Sequence, residues 1–169
     1  MVDVGLTRRG RATTASTVRT LAIVLATVGG VGYVPVAPGT AGSLAALPLL
    51  PLLASLRDRS PLGGWLVVAV VLAVAMWAAG RADEIFPGHD NGRIVVDELA
   101  GMVVAGLFVP GTWAAAVLVF VSFRLFDVVK PWPANVIDRR VPWGIGVVGD
   151  DLVAAVYAGV ASRLLLEVL

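Results

Sequence analysis

Three stretches of this chain carry no charged residue: Thr20 to Leu56, Ser60 to Gly80, and Leu99 to Phe123. At about 1.5 Å per helical residue, each can cross or deeply enter a hydrocarbon layer of roughly 30 Å. Only elements that satisfy their own backbone hydrogen bonds are stable there, so the sequence predicts an all-α fold, a multihelical integral membrane bundle. Composition agrees: of 169 residues, 58% are hydrophobic and 15% charged, with a mean hydropathy of +0.89. A soluble helical protein with an oversized core is the competing reading, and the length of the runs disfavours it.

Proline and glycine divide the apolar runs further. "SLRDRSPLGG" at 55 to 64 and "VPGT" at 109 to 112 read as turns of helical hairpins. The expected helices are 18–34, 43–56, 62–84, 96–109, 112–129 and 150–168. Some are too short to span alone, which implies tilted or re-entrant packing. Residues 1–19, basic and polar, read as a retained flexible tail rather than a cleaved signal, and 20–169 as one membrane domain. Arginine and lysine divide evenly between the two sides and leave orientation open.

Most of the charge gathers in Arg81 to Glu98 and Arg124 to Asp151. Two hairpins return the chain to one side, so "PGTAGS", "HDNGRIVVDE" and "FRLFDVVKPWP" through "GDD" should share a face. In "FRLFDVVKP", Arg124, Asp127 and Lys130 recur every third residue and form a polar stripe on an apolar helix. An internal salt-bridge ladder would explain it on a soluble helix. Beside a membrane, such a cluster points to function. Asp97 and Glu98 open one apolar helix, and Asp150 and Asp151 open the last. A capping role accounts for one member of each pair, not two.

Three acidic sites on one face call for a counter-charge, and Mg²⁺ suits carboxylate oxygens while leaving positions for water. Arg124, Lys130, Arg139 and Arg93 then supply more positive charge than the carboxylates need, which suggests a phosphate ligand. "APGTAGSLAALP" adds Thr40 and Ser43 at a helix start, with Ser43 as the expected cap, where backbone N–H groups can hold an anion. Absences exclude other chemistry. The chain has no cysteine and only one histidine, His89, which rules out cysteine nucleophiles and two-histidine phosphatase sites. A net charge of +1 gives no footing for nucleic acid.

Four blocks, "PVAPGTAGSLAALP", "HDNGRIVVDELAG", "FRLFDVVKPWPANVIDRR" and "GIGVVGDDLVAAVYAG", resemble the phosphatidylglycerophosphatase A family in order and spacing. The resemblance covers roughly residues 20 to 160. It implies a bacterial, multi-pass inner-membrane enzyme. Such an enzyme hydrolyses phosphatidylglycerophosphate to phosphatidylglycerol and phosphate with Mg²⁺ at the cytoplasmic face. Matched motif by motif, it marks Asp97, Glu98, Arg124, Asp127, Lys130, Trp132, Asp138, Arg139, Asp150 and Asp151. The chain departs from the family pattern at Trp143 and Gly149.

The expected metal ligands are Glu98, Asp127 and Asp151, with Asp97 or Asp150 as a further ligand or base. Arg124, Lys130 and Arg139 would grip the phosphate, and Thr40 and Ser43 complete the polar floor. A cation transporter using the same carboxylates is the alternative. Small-residue faces such as "AAVYAGVAS" permit helix packing within one chain or in a homo-oligomer.

Overall fold

Every element in the computed structural model is helical, and it describes residues 16–88, 91–134 and 143–168. The helices are α1 (Ser16–Ala26), α2 (Pro38–Ala46), α3 (Leu49–Arg59), α4 (Pro61–Asp83), α5 (Val96–Ala105), α6 (Trp113–Val129) and α7 (Trp143–Val168). Short 3-10 turns lie at Val31–Tyr33 and Gly106–Phe108.

Local chemistry accounts for most of the boundaries. Ser60 caps α4 by accepting from the Gly63 N–H, and Thr112 caps α6 by accepting from the Ala115 N–H. Pro61 occupies the first position of α4, where its missing N–H costs nothing. Pro48 separates α2 from α3. Helix α1 stops after Ala26 because the chain turns through Gly29 and Gly30, at φ 66° and 102°.

Several expectations need correction. The first helix, Ser16–Ala26, begins two residues before the expected 18–34 and ends eight residues short of it; residues 1–15 lie outside the described residues. The expected helix 43–56 is two helices beginning at Pro38, so Ser43 lies inside α2 and caps nothing. The last helix begins at Trp143, not at Asp150.

Helix α5 is central, packed between α2, α4 and α7, and α7 runs against α4, α5 and α6. Small side chains let the helices approach: Ala75, Ala78, Ala79 and Ala82 of α4 meet Ala26 and Ala100, all completely buried. A second cluster joins Met102, Val119, Phe123, Ala154, Ala155 and Ala158.

Two stretches, Pro38–Arg59 and Pro61–Asp83, are long and apolar enough to cross a membrane, with mean hydropathies of 1.5 and 2.3. Only 33% and 28% of them are buried within the protein. A soluble core helix would be mostly covered. Here Leu62, Trp65, Leu66, Val70 and Val74 of α4 face outward instead.

Candidate active site

The site forms where four helix segments meet: the start of α2, the start of α5, the end of α6 and the third turn of α7. Val95 precedes α5 without a side-chain cap, and its N–H donates to the Ala26 carbonyl, fixing where α5 begins. Asp97 and Glu98 therefore enter at the first turn, where the helix dipole favours negative charge.

Asp150 and Asp151 arrive differently. They are the eighth and ninth residues of α7, about 12 Å from its start, and only 7% and 4% exposed. Capping explains neither. Two buried aspartates inside an apolar helix have a cost that something must offset.

Asp97, Glu98 and Asp151 each offer a carboxylate oxygen within 4.8 Å of the others. Asp127 stands beside this group on α6, close enough for its charge to act on both Glu98 and Asp151. Burial pushes the Asp97 carboxyl well above the usual carboxylate range, reinforced by the neighbouring charges of Glu98 and Asp151. Burial also raises Glu98, with Asp127 adding to the effect and Arg124 opposing it. Both residues lie outside the two candidate spans.

The positive groups divide into two pairs. Lys130 Nζ donates to Asp150 Oδ2 at 2.7 Å across helices. Arg124 Nη1 stands 2.8 Å from Asp127 Oδ2. The Arg124 contact is Coulombic only: Nη1 is buried and makes no hydrogen bond, because its N–H directions miss the carboxylate. Glu98 Oε2 is likewise buried and unbonded. An acceptor and a donor left unspent side by side mark a place where a cation and an anion could be received.

Gly39, second residue of α2, sits directly over these two groups. A Cβ there would collide with Glu98 Oε1 and lie 3.4 Å from Arg124 Nη1. Among the described residues three non-glycine positions have left-handed backbone, and two of them, Ala37 at φ 49° and Lys130 at φ 46°, flank the site. Local strain of about 1–2 kcal/mol each is held there by the surrounding packing.

The donor set suits a hard divalent ion: carboxylate oxygens at short separation, one of them orphaned, with no nitrogen or sulfur ligand among the described residues. Asp97, Glu98 and Asp151 meet at a single point, with Asp127 adjacent and Asp150 one step away on Lys130. Thr40 is half-buried in the first turn of α2. Ser43 is fully buried and its hydroxyl donates to the Gly39 carbonyl at 2.9 Å. Arg139, with Asp138, lies outside the described residues, as does His89. The close approach of Gly39 to Glu98 is a tertiary contact with no local signature beyond a glycine following the helix-opening Pro38.

The sequence profile of the family described as phosphatidylglycerophosphatase A matches residues 24–166. Phosphatidylglycerophosphatase A of Escherichia coli (strain K12) is 36% identical over 94 residues, 55% of this chain and 55% of that protein. The protein of the same name in Haemophilus influenzae is 38% identical over 71 residues, 41% of this chain and 44% of its own. A Bacteroides thetaiotaomicron relative, provisionally named a phosphatidylinositol-3-phosphatase, is 35% identical over 100 residues, 56% of this chain and 62% of its own. The chain thus spans about half the length of the curated relatives it matches. No solved structure matches it.

Proposed function

This chain belongs to the phosphatidylglycerophosphatase A family, and from that premise we propose that it is a Mg²⁺-dependent membrane phosphatase. It removes the terminal phosphate of phosphatidylglycerophosphate, leaving phosphatidylglycerol and inorganic phosphate. The observation that carries the reading is the buried meeting of Asp97, Glu98 and Asp151 beside the unspent Nη1 of Arg124.

Asp97, Glu98 and Asp151 would hold the ion, which supplies Lewis-acid charge to the phosphoryl group when bound. Arg124, ion-paired with Asp127 but without a hydrogen bond at Nη1, would turn that donor to a phosphoryl oxygen, and Lys130, held by Asp150, adds charge at the rim. The first-turn N–H groups of α2, around Gly39 and Thr40, favour an anion. Asp127 is open enough to water, at 15% exposure, to accept a proton from the attacking molecule. The water oxygen bonds to phosphorus, the phosphorus–oxygen bond to the glycerol head group breaks, and the departing alkoxide takes up a proton. Hydrolysis at the head group leaves the acyl chains in lipid. The protein would cross the inner membrane several times with this site at the cytoplasmic face.

A cation path is the rival use of such carboxylates, and the packing beneath them opposes it. Phe123, Met102 and Val119 are fully buried in one core cluster, and Phe123 lies so close to Gly101, which also faces the Asp151 carbonyl, that a Cβ there would approach its ring at 2.6 Å.

Phosphate release from phosphatidylglycerophosphate by purified protein in detergent, with Mg²⁺ or with chelator, tests the reading. Release that needs Mg²⁺ and is lost in Asp127→Asn, with the helical content unchanged, is expected. No release from the unaltered protein with Mg²⁺ sinks it.

A further inference from the structure

We propose that Arg93 is a specificity-determining residue that holds a second anionic group of the substrate, the internal phosphodiester of the lipid head group. The inference rests on the phosphatase reading above and extends it to a residue outside the acidic ring.

Arg93 is exposed, in the segment leading into α5. Its guanidinium carbon lies 5.5 Å from the centre of the Tyr33 ring and 5.8 Å from that of Phe86. Two aromatic faces restrict the rotamers of a long side chain and leave the in-plane N–H fork open for an oxyanion. Among the described residues Arg93 has no carboxylate partner, whereas Arg57, Arg81, Arg124 and Arg163 are each ion-paired.

The backbone around it is equally fixed. The Arg93 N–H donates to Asn91 Oδ1 at 3.2 Å, and its carbonyl packs so tightly on Gly32 that no side chain fits there. A Cβ on Gly92 would lie 4.0 Å from Pro38 Cγ, placing this segment beside the start of α2, the same helix end that presents Gly39 to Glu98 and Arg124. Arg93 stands four positions before Asp97, at most about 14 Å of extended chain. A lipid carrying a terminal phosphate and a phosphodiester three carbons away has the two charges this arrangement would address. A monophosphate without the diester has one.

The test compares the unaltered protein with Arg93→Gln and Arg93→Lys. Kinetics are measured on phosphatidylglycerophosphate, with inorganic phosphate and glycerophosphoglycerol as soluble inhibitors. The first inhibitor resembles the terminal group and the second carries only the diester. Arg93→Gln is expected to raise KM about tenfold with kcat retained, and to weaken glycerophosphoglycerol inhibition by a similar factor. Inhibition by inorganic phosphate should not change, and Arg93→Lys should recover part of the loss. An unchanged KM, or equal weakening of both inhibitors, overturns the assignment. Absence of turnover by the unaltered protein instead overturns the reading of the acidic site, and this inference with it.

Discussion

The two ends of the bundle treat polar groups in opposite ways. At the end formed by α3, the start of α4 and the start of α6, the observed partners close the backbone ends. Arg57 Nη1 donates to the carbonyls of Leu107 and Val109 at 2.7 and 3.2 Å, while Ser60 and Thr112 cap their helices. At the other end α2 and α5 begin without side-chain caps, and Glu98 Oε2 and Arg124 Nη1 stay unbonded. Both ends are built from short polar breaks between apolar runs. On the proposed function, the contrast separates ions used to finish a fold from ions held ready for a ligand.

The contrast is broken most sharply by removing one ion from each end. Asp151→Asn should lower phosphate release by roughly 10³-fold, the scale of losing a principal electrostatic contact to the reacting group. It should leave the chelated protein as stable as before or more so, since one of several crowded charges disappears. Arg57→Ala should do the reverse, costing about 1.5–3 kcal/mol through carbonyls left without their charged donor. The fraction that stays folded should keep its turnover. Thermal unfolding in detergent beside phosphate release distinguishes them. An Asp151→Asn protein that is unstable and still active would erase the distinction between the ends.

A pair of glycines sharpens the same comparison at smaller scale. In Gly39→Ala the added methyl meets Glu98 Oε1 and Arg124 Nη1, so the two unspent groups must shift. Displacement of about 1 Å at reacting groups costs on the order of 10²-fold in rate. In Gly111→Ala the methyl meets Ala54 Cβ at 2.9 Å, at the closed end. That change should lower the melting temperature and spare kcat. Equal effects of both variants on kcat would show that packing, not the site, governs the rate.

Much of the site was legible because ions are costly beside hydrocarbon and therefore conspicuous. Asp97, Glu98, Arg124, Asp127, Lys130 and Asp151 could each be named from position alone, and the structure gathers them. Helix α6 was readable to within a residue, because Thr112 caps it and Pro131 follows its end. The start of α7 was not. "WGIGVVG" carries three glycines, a loop signal, yet tertiary packing against α4 and α5 holds it helical and turns Asp150 and Asp151 from caps into buried side chains. Nor could the partner of Lys130 be read. Left-handed backbone at that residue turns it off the stripe shared with Asp127 and toward Asp150 on another helix.

The smallest effect concerns protons. In the folded protein burial raises the Asp97 carboxyl well above its ordinary value and also raises Glu98, so both hold their protons to higher pH. Unfolded, both ionise near pH 4. Above that value the folded state binds more protons than the unfolded state, so stability present at low pH is lost as pH rises through the raised values. A divalent ion in the ring would replace the protons and remove this dependence. In chelator the melting temperature should therefore fall as pH increases from about 4. With Mg²⁺ it should be higher and nearly flat, and Arg57→Ala should lower both curves without changing either slope. A melting temperature that climbs with pH in chelator would mean that these carboxylates are already compensated without an ion, and the open end would then be as complete as the closed one.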